Sequence, residues 1–218
     1  MKNLTLSSTF IFLCLVILFF CPVSIPHKVM LPVTALSVAS IWLCPWQVTA
    51  ALFCSALGDW FGSCHNFLGQ MGFFMINHIF LLWYFIKRYR AKVEPDRKVT
   101  SKRKGYIAMV ILCCLALAAI AFTRIVPGST LGLERTGVCI YILLILSMLA
   151  FALLQRSTLF ALGAVLFVFS DFILAWHKFV EPVPYRTYIV MVTYYLAQWL
   201  IFVRATPFRI KGLRPLRF

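Results

Sequence analysis

The chain has 218 residues, 62% of them hydrophobic and 12% charged, where an ordinary soluble domain is about 25% charged. With a mean hydropathy of +0.92 it has too little polar side chain to coat a water-facing domain, so it belongs to the integral membrane class. A net charge of +15 does not make it a nucleic-acid binder: the basic residues cluster at 87–104 and at the end of the chain, beside apolar runs and without an aromatic platform for bases.

Crossing a bilayer as a helix takes ~17 to 25 apolar residues. The expected fold is all-α, a polytopic bundle of eight transmembrane helices in one domain, 1–218. The spans fall near 4–21, 29–44, 46–63, 69–87, 105–123, 137–154, 158–176 and 186–204. The first lacks a small-residue cleavage site and is kept as a helix rather than a signal peptide. Pro45, between spans two and three, fixes a tight turn. A basic loop at about 88–104 and a basic tail at about 205–218 complete the chain. Five of the eight cysteines (Cys14, Cys54, Cys113, Cys114 and Cys139) lie within apolar runs as small hydrophobes, and no metal-type spacing occurs.

With the N-terminus inside, 16 lysines and arginines face the cytoplasm and five face out. The positive-inside rule therefore puts both termini in the cytoplasm. The expected location is multi-pass in a membrane, a bacterial inner membrane.

Only six acidic residues exist, and two of them, Asp59 in SALGDWF and Asp171 in FVFSDFILAW, lie within apolar spans. An ionised aspartate in hydrocarbon costs a few kcal/mol or more, which makes both candidates for function. Each comes about thirteen residues into an outward-running span, roughly 20 Å from the cytoplasmic end at 1.5 Å per residue. Inward-running spans bring His78, Tyr194 and Gln198 to a similar depth, and Ser55 and Ser170 add hydroxyls. No lysine or arginine joins them. Cys64 and His65 follow Asp59 without a partner ligand at helical spacing, so neither a metal nor a cofactor is expected.

Two neighbouring carboxyls in a buried site favour a state with one protonated and one ionised, the arrangement of a general acid beside a general base. Such a pair needs water, hence a cavity around both aspartates. The structural alternative is a protonated acid bonded to Ser, Tyr or Gln across helices. Gly58 and Gly163 would let helices approach closely. The frame D-x5-H-x-F, at 59–67 and again at 171–179, hints at a four-plus-four duplication.

GAVLFVFSDFILAWHKF (163–179) with YIVMVTYYLAQWLI (188–201) resembles the signature of the YhhN family of lysoplasmalogenase-like multi-span membrane proteins. SALGDWF (55–61), GFFMINHIFLLWYF (72–85) and VCIYILLILSMLAFAL (138–153) resemble its other motifs, so the likeness runs from about residue 28 to 204. It implies hydrolysis of the vinyl-ether bond of lysoplasmalogens to a fatty aldehyde and a glycerophospho-alcohol. Asp59 and Asp171 would be catalytic, with Ser55, His78, Ser170, Tyr194 and Gln198 supporting them or holding substrate. The partners implied are a lysophospholipid substrate and membrane lipids; no nucleic acid is expected, and self-association is left open. A vinyl ether is cleaved by proton delivery to its β-carbon and water attack on the oxocarbenium ion, which asks for a proton donor and a carboxylate but no serine or cysteine nucleophile. A proton-coupled transporter would use the same acids as a relay, and a lipid-translocating or lipid-binding protein is the other alternative.

Overall fold

A computed structural model describes residues 2–92 and 101–206. Residues 93–100 of the basic loop and 207–218 of the basic tail expected from the sequence lie outside these residues. The described chain is built from α1 (Lys2–Phe20), α2 (Leu31–Leu43), α3 (Trp46–Ser63), α4 (Phe67–Lys92), α5 (Ser101–Ile120), α6 (Leu133–Leu154), α7 (Thr158–Phe179) and α8 (Arg186–Ala205). Six of the eight helices are long and apolar enough to cross a membrane; α2, with 13 residues, and α3 are not among them. The protein is an integral, multi-pass helix bundle.

The helices follow the apolar runs because hydrocarbon leaves a backbone polar group no partner but its own helix. Pro45 ends the α2 ladder, and α3 begins one residue later. Three helices outrun their apolar stretches. At the start of α6, Glu134 accepts from the Thr130 N–H at 3.3 Å and Arg135 donates to the Pro127 and Ser129 carbonyls, so these charges build the helix start. α4 continues through Lys87, Arg88 and Arg90, and α5 passes at Ala121–Ile125 into a π turn.

The two halves pack in the same pattern. α3 packs most on α4 and α7 on α8; α2 lies on α3 and α6 on α7; α1 lies on α2 and α5 on α6. Between halves, α4 meets α6 and α8 meets α2. Close approach rests on the glycines marked in the sequence. A Cβ at Gly58 would stand 3.2 Å from the Phe74 ring, and one at Gly163 would stand 2.9 Å from Ile201 Cγ1. The seam between the halves, lined by α3, α4, α6, α7 and α8, carries the polar side chains.

Candidate active site

Asp59 and Asp171 each take a partner from the opposite half. Tyr194, on α8, donates its hydroxyl to Asp59 Oδ2 at 2.9 Å. Tyr141, on α6, donates to Asp171 Oδ2, and His78 Nε2, on α4, lies 3.1 Å from the Tyr141 oxygen and 3.5 Å from the same carboxylate oxygen. With the Tyr141 proton given to Asp171, its oxygen is left to accept from His78 Nε2 in the tautomer that carries hydrogen there. The geometry is therefore a three-member chain, His78 to Tyr141 to Asp171. One helical turn from Asp59 and Tyr194, Gln198 Nε2 donates to Ser55 Oγ at 2.9 Å.

The polar side chains expected together are divided into two groups. Phe74 and Phe167 fill the space between them: Phe167 lies edge-on to Tyr194 at 5.5 Å and to His78 at 4.8 Å, and Phe74 lies 5.8 Å from Tyr194. Ser170 stands apart from both groups. It faces α8 and donates to the Val190 carbonyl at 3.1 Å, a tie between helices, because its neighbour position on α7 points a third of a turn away from Asp171.

A cavity of about 510 Å³ opens beside one group only. That lies within the ~300–1,000 Å³ range of small-molecule sites. α4, α5 with its π turn, α6 and α7 form its walls, and among the described residues its polar side chains are Gln70, Tyr141 and Asp171. The side chain of Asp171 is 12% exposed. Asp59 is buried and does not line the cavity. The single cavity around both aspartates expected from the sequence is thus a cavity at Asp171, since the Phe74 and Phe167 rings occupy the approach to Asp59. α5 rests mainly on α6 and meets α7 through the π turn and the 3-10 turn after it, so the gap between α5 and α7 becomes the cavity. At the end of the cavity beside the α7 C-terminus, the Lys178 ammonium sits 4.3 Å above the ring of Phe67, a lining residue. Cys64 and His65 lie in the exposed turn between α3 and α4.

Tyr141 is the site residue the sequence did not single out. It lies about eight residues into α6, and Tyr194 lies about eight into α8. The same count would have found it had the span begun at Leu133 rather than after the charged pair Glu134 and Arg135.

The family model described as the YhhN family matches residues 4–205. Lysoplasmalogenase TMEM86B of Sus scrofa is 32% identical over 159 residues, 71% of this chain and 61% of that protein. Its Rattus norvegicus counterpart is 30% identical over 173 residues, 78% of this chain and 64% of that protein. Lysoplasmalogenase TMEM86A of Homo sapiens is 45% identical over a shorter stretch of 47 residues, 22% of this chain and 20% of that protein. The chain spans about three fifths of the length of the TMEM86B relatives it matches. No solved structure matches it.

Proposed function

Since the chain belongs to the YhhN family, we propose that it is a membrane hydrolase that cleaves the vinyl-ether bond of a lysoplasmalogen, using Asp171 at the cavity wall as its acid and base. One observation carries this: an apolar cavity of lipid-chain character presents a single carboxyl, and that carboxyl is tied to a tyrosine and a histidine that can share its proton. The relatives named lysoplasmalogenases support the choice of substrate.

The alkenyl chain lies in the inner part of the cavity, against Leu117, Leu146 and Val165, and the phosphate points to the mouth, where Lys178 supplies the cation. Protonated Asp171 gives its proton to the β-carbon of the vinyl ether, and the positive charge moves to the α-carbon and its oxygen. The carboxylate left behind stabilises that oxocarbenium ion and then takes a proton from the water that attacks the α-carbon. The hemiacetal collapses to aldehyde and glycerophospho-alcohol, one water consumed per bond broken. His78 and Tyr141 hold the proton chain to Asp171 in place. Asp59, held by Tyr194, supports the site from behind the aromatic wall.

The test is aldehyde release from an alkenyl lysophospholipid by purified protein in detergent. Asp171→Asn is expected to lower kcat by about 10²- to 10⁴-fold with the fold intact. Asp59→Asn is expected to lower it less, with KM little changed. Parent-like turnover by Asp171→Asn, or no aldehyde from well-folded parent, would sink the proposal.

A further inference from the structure

Far from the cavity, two arginines converge on one buried ring. Arg88 of α4 and Arg204 of α8 hold their guanidinium carbons 5.5 and 5.3 Å from the centroid of Phe160, near the start of α7. Phe160 is wedged edge-on between Phe85 at 5.1 Å and Tyr84 at 5.9 Å, so the ring is fixed. Arg204 Nε donates to Ser157 Oγ at 2.9 Å. Arg88 Nε is buried without a hydrogen-bond partner among the described residues.

Guanidinium groups stay charged, and these two repel one another. The acids of the described residues do not relieve them. Asp59 and Asp171 belong to the seam, Glu134 opens α6 at its far end, and Glu181 follows α7 at its far end. We propose that Arg88 and Arg204, framed by Tyr84 and Ser157, form a binding site for a phosphate group at this end of the bundle. Planar forks from two helices suit a tetrahedral oxyanion, which accepts several N–H bonds and cancels the repulsion.

This phosphate cannot be the headgroup of a substrate seated at Asp171. Arg88 lies ten residues beyond His78, and Arg204 ten beyond Tyr194, roughly 15 Å along each helix. In a lysophospholipid the phosphate and the ether oxygen are only a glycerol apart. The site is a second one, and it stands or falls independently of the hydrolase activity.

The shared chemistry admits two sources, a membrane lipid phosphate or a soluble phosphate. Purified protein is equilibrated in mixed micelles of phosphatidylglycerol and phosphatidylcholine, and retained lipid is counted by native mass spectrometry. In parallel, inorganic phosphate is titrated against Tm, with chloride as the ionic-strength control. We expect preferential retention of phosphatidylglycerol, reduced about tenfold in Arg88→Gln/Arg204→Gln and unchanged in Lys87→Gln/Arg90→Gln, whose positions on the same helix end are exposed. A saturable rise in Tm with phosphate but not chloride, lost in the same double variant, assigns the site to a soluble phosphate instead. Neither effect in the parent, or either one undiminished in the double variant, overturns the proposal. Arg204→Gln alone is measured in the same way, so that a double variant too unstable to purify does not decide the outcome.

Discussion

Beside Asp171 stands the Tyr141 hydroxyl rather than a lysine or arginine, and that decides what the carboxyl can do. A lysine or arginine in contact would hold it ionised. Tyr141 leaves the proton free to pass, and His78 behind it completes the chain. Tyr141→Phe keeps the ring's packing and removes only the hydroxyl. Its expected effect is a fall in kcat of about 10²-fold with KM nearly unchanged, measured as aldehyde release at saturating substrate. A matching rise in KM would mean that the hydroxyl serves binding instead. Counting residues from helix starts was enough to bring His78, Tyr194, Gln198 and Ser55 to the level of the aspartates. It could not show that Ser170 turns towards α8, or that Phe74 and Phe167 separate Asp59 from the cavity. Those facts depend on helix rotation, which one sequence of uniformly apolar spans leaves almost unmarked.

At the level of helices, small residues set distances that large ones elsewhere depend on. Gly163 lets α7 sit against Ile201 and the Ala197 carbonyl of α8; an added Cβ would stand 2.9 Å from the first and 3.3 Å from the second. Gly163→Ala is therefore expected to destabilise the fold by about 1–3 kcal/mol, read as a lower Tm in detergent. Gly72→Ala, where a Cβ meets nothing within 4 Å, is expected to leave Tm unchanged or raise it. Helix existence was legible because a bilayer permits few alternatives, and Pro45 marked its turn openly. The start of α6 was not legible, since Glu134 and Arg135 look like loop residues until their bonds to the preceding turns are seen. Nor was the π turn of α5: AFTRI carries no proline or glycine to announce it.

Across the whole molecule, each half of the chain finishes the other's site: α8 supplies Tyr194 to Asp59, and α4 supplies His78 towards Asp171. The repeated D-x5-H-x-F frame hinted at a four-plus-four duplication, and the packing of α1 to α4 recurs in α5 to α8. An even number of helices per half leaves both halves entering the membrane from one side. We propose that side to be the cytoplasm, on the charge count of 16 against five. A green fluorescent protein fused at the C-terminus should fluoresce, and a periplasm-dependent phosphatase fused there should be inactive; the reverse pair would invert the topology. The cavity wall has a further consequence. A fatty aldehyde is an electrophile that captures amines and thiols, and this chain carries nine lysines and eight cysteines. Among the described residues lining the cavity there is neither. A hydrolase of the proposed kind would otherwise trap its product as imines and hemithioacetals on its own walls turn after turn. After prolonged turnover and borohydride trapping, peptide mapping should find adducts on Lys178 at the mouth and on outlying lysines, and none on the residues that line the cavity, as expected of a site that survives what it releases.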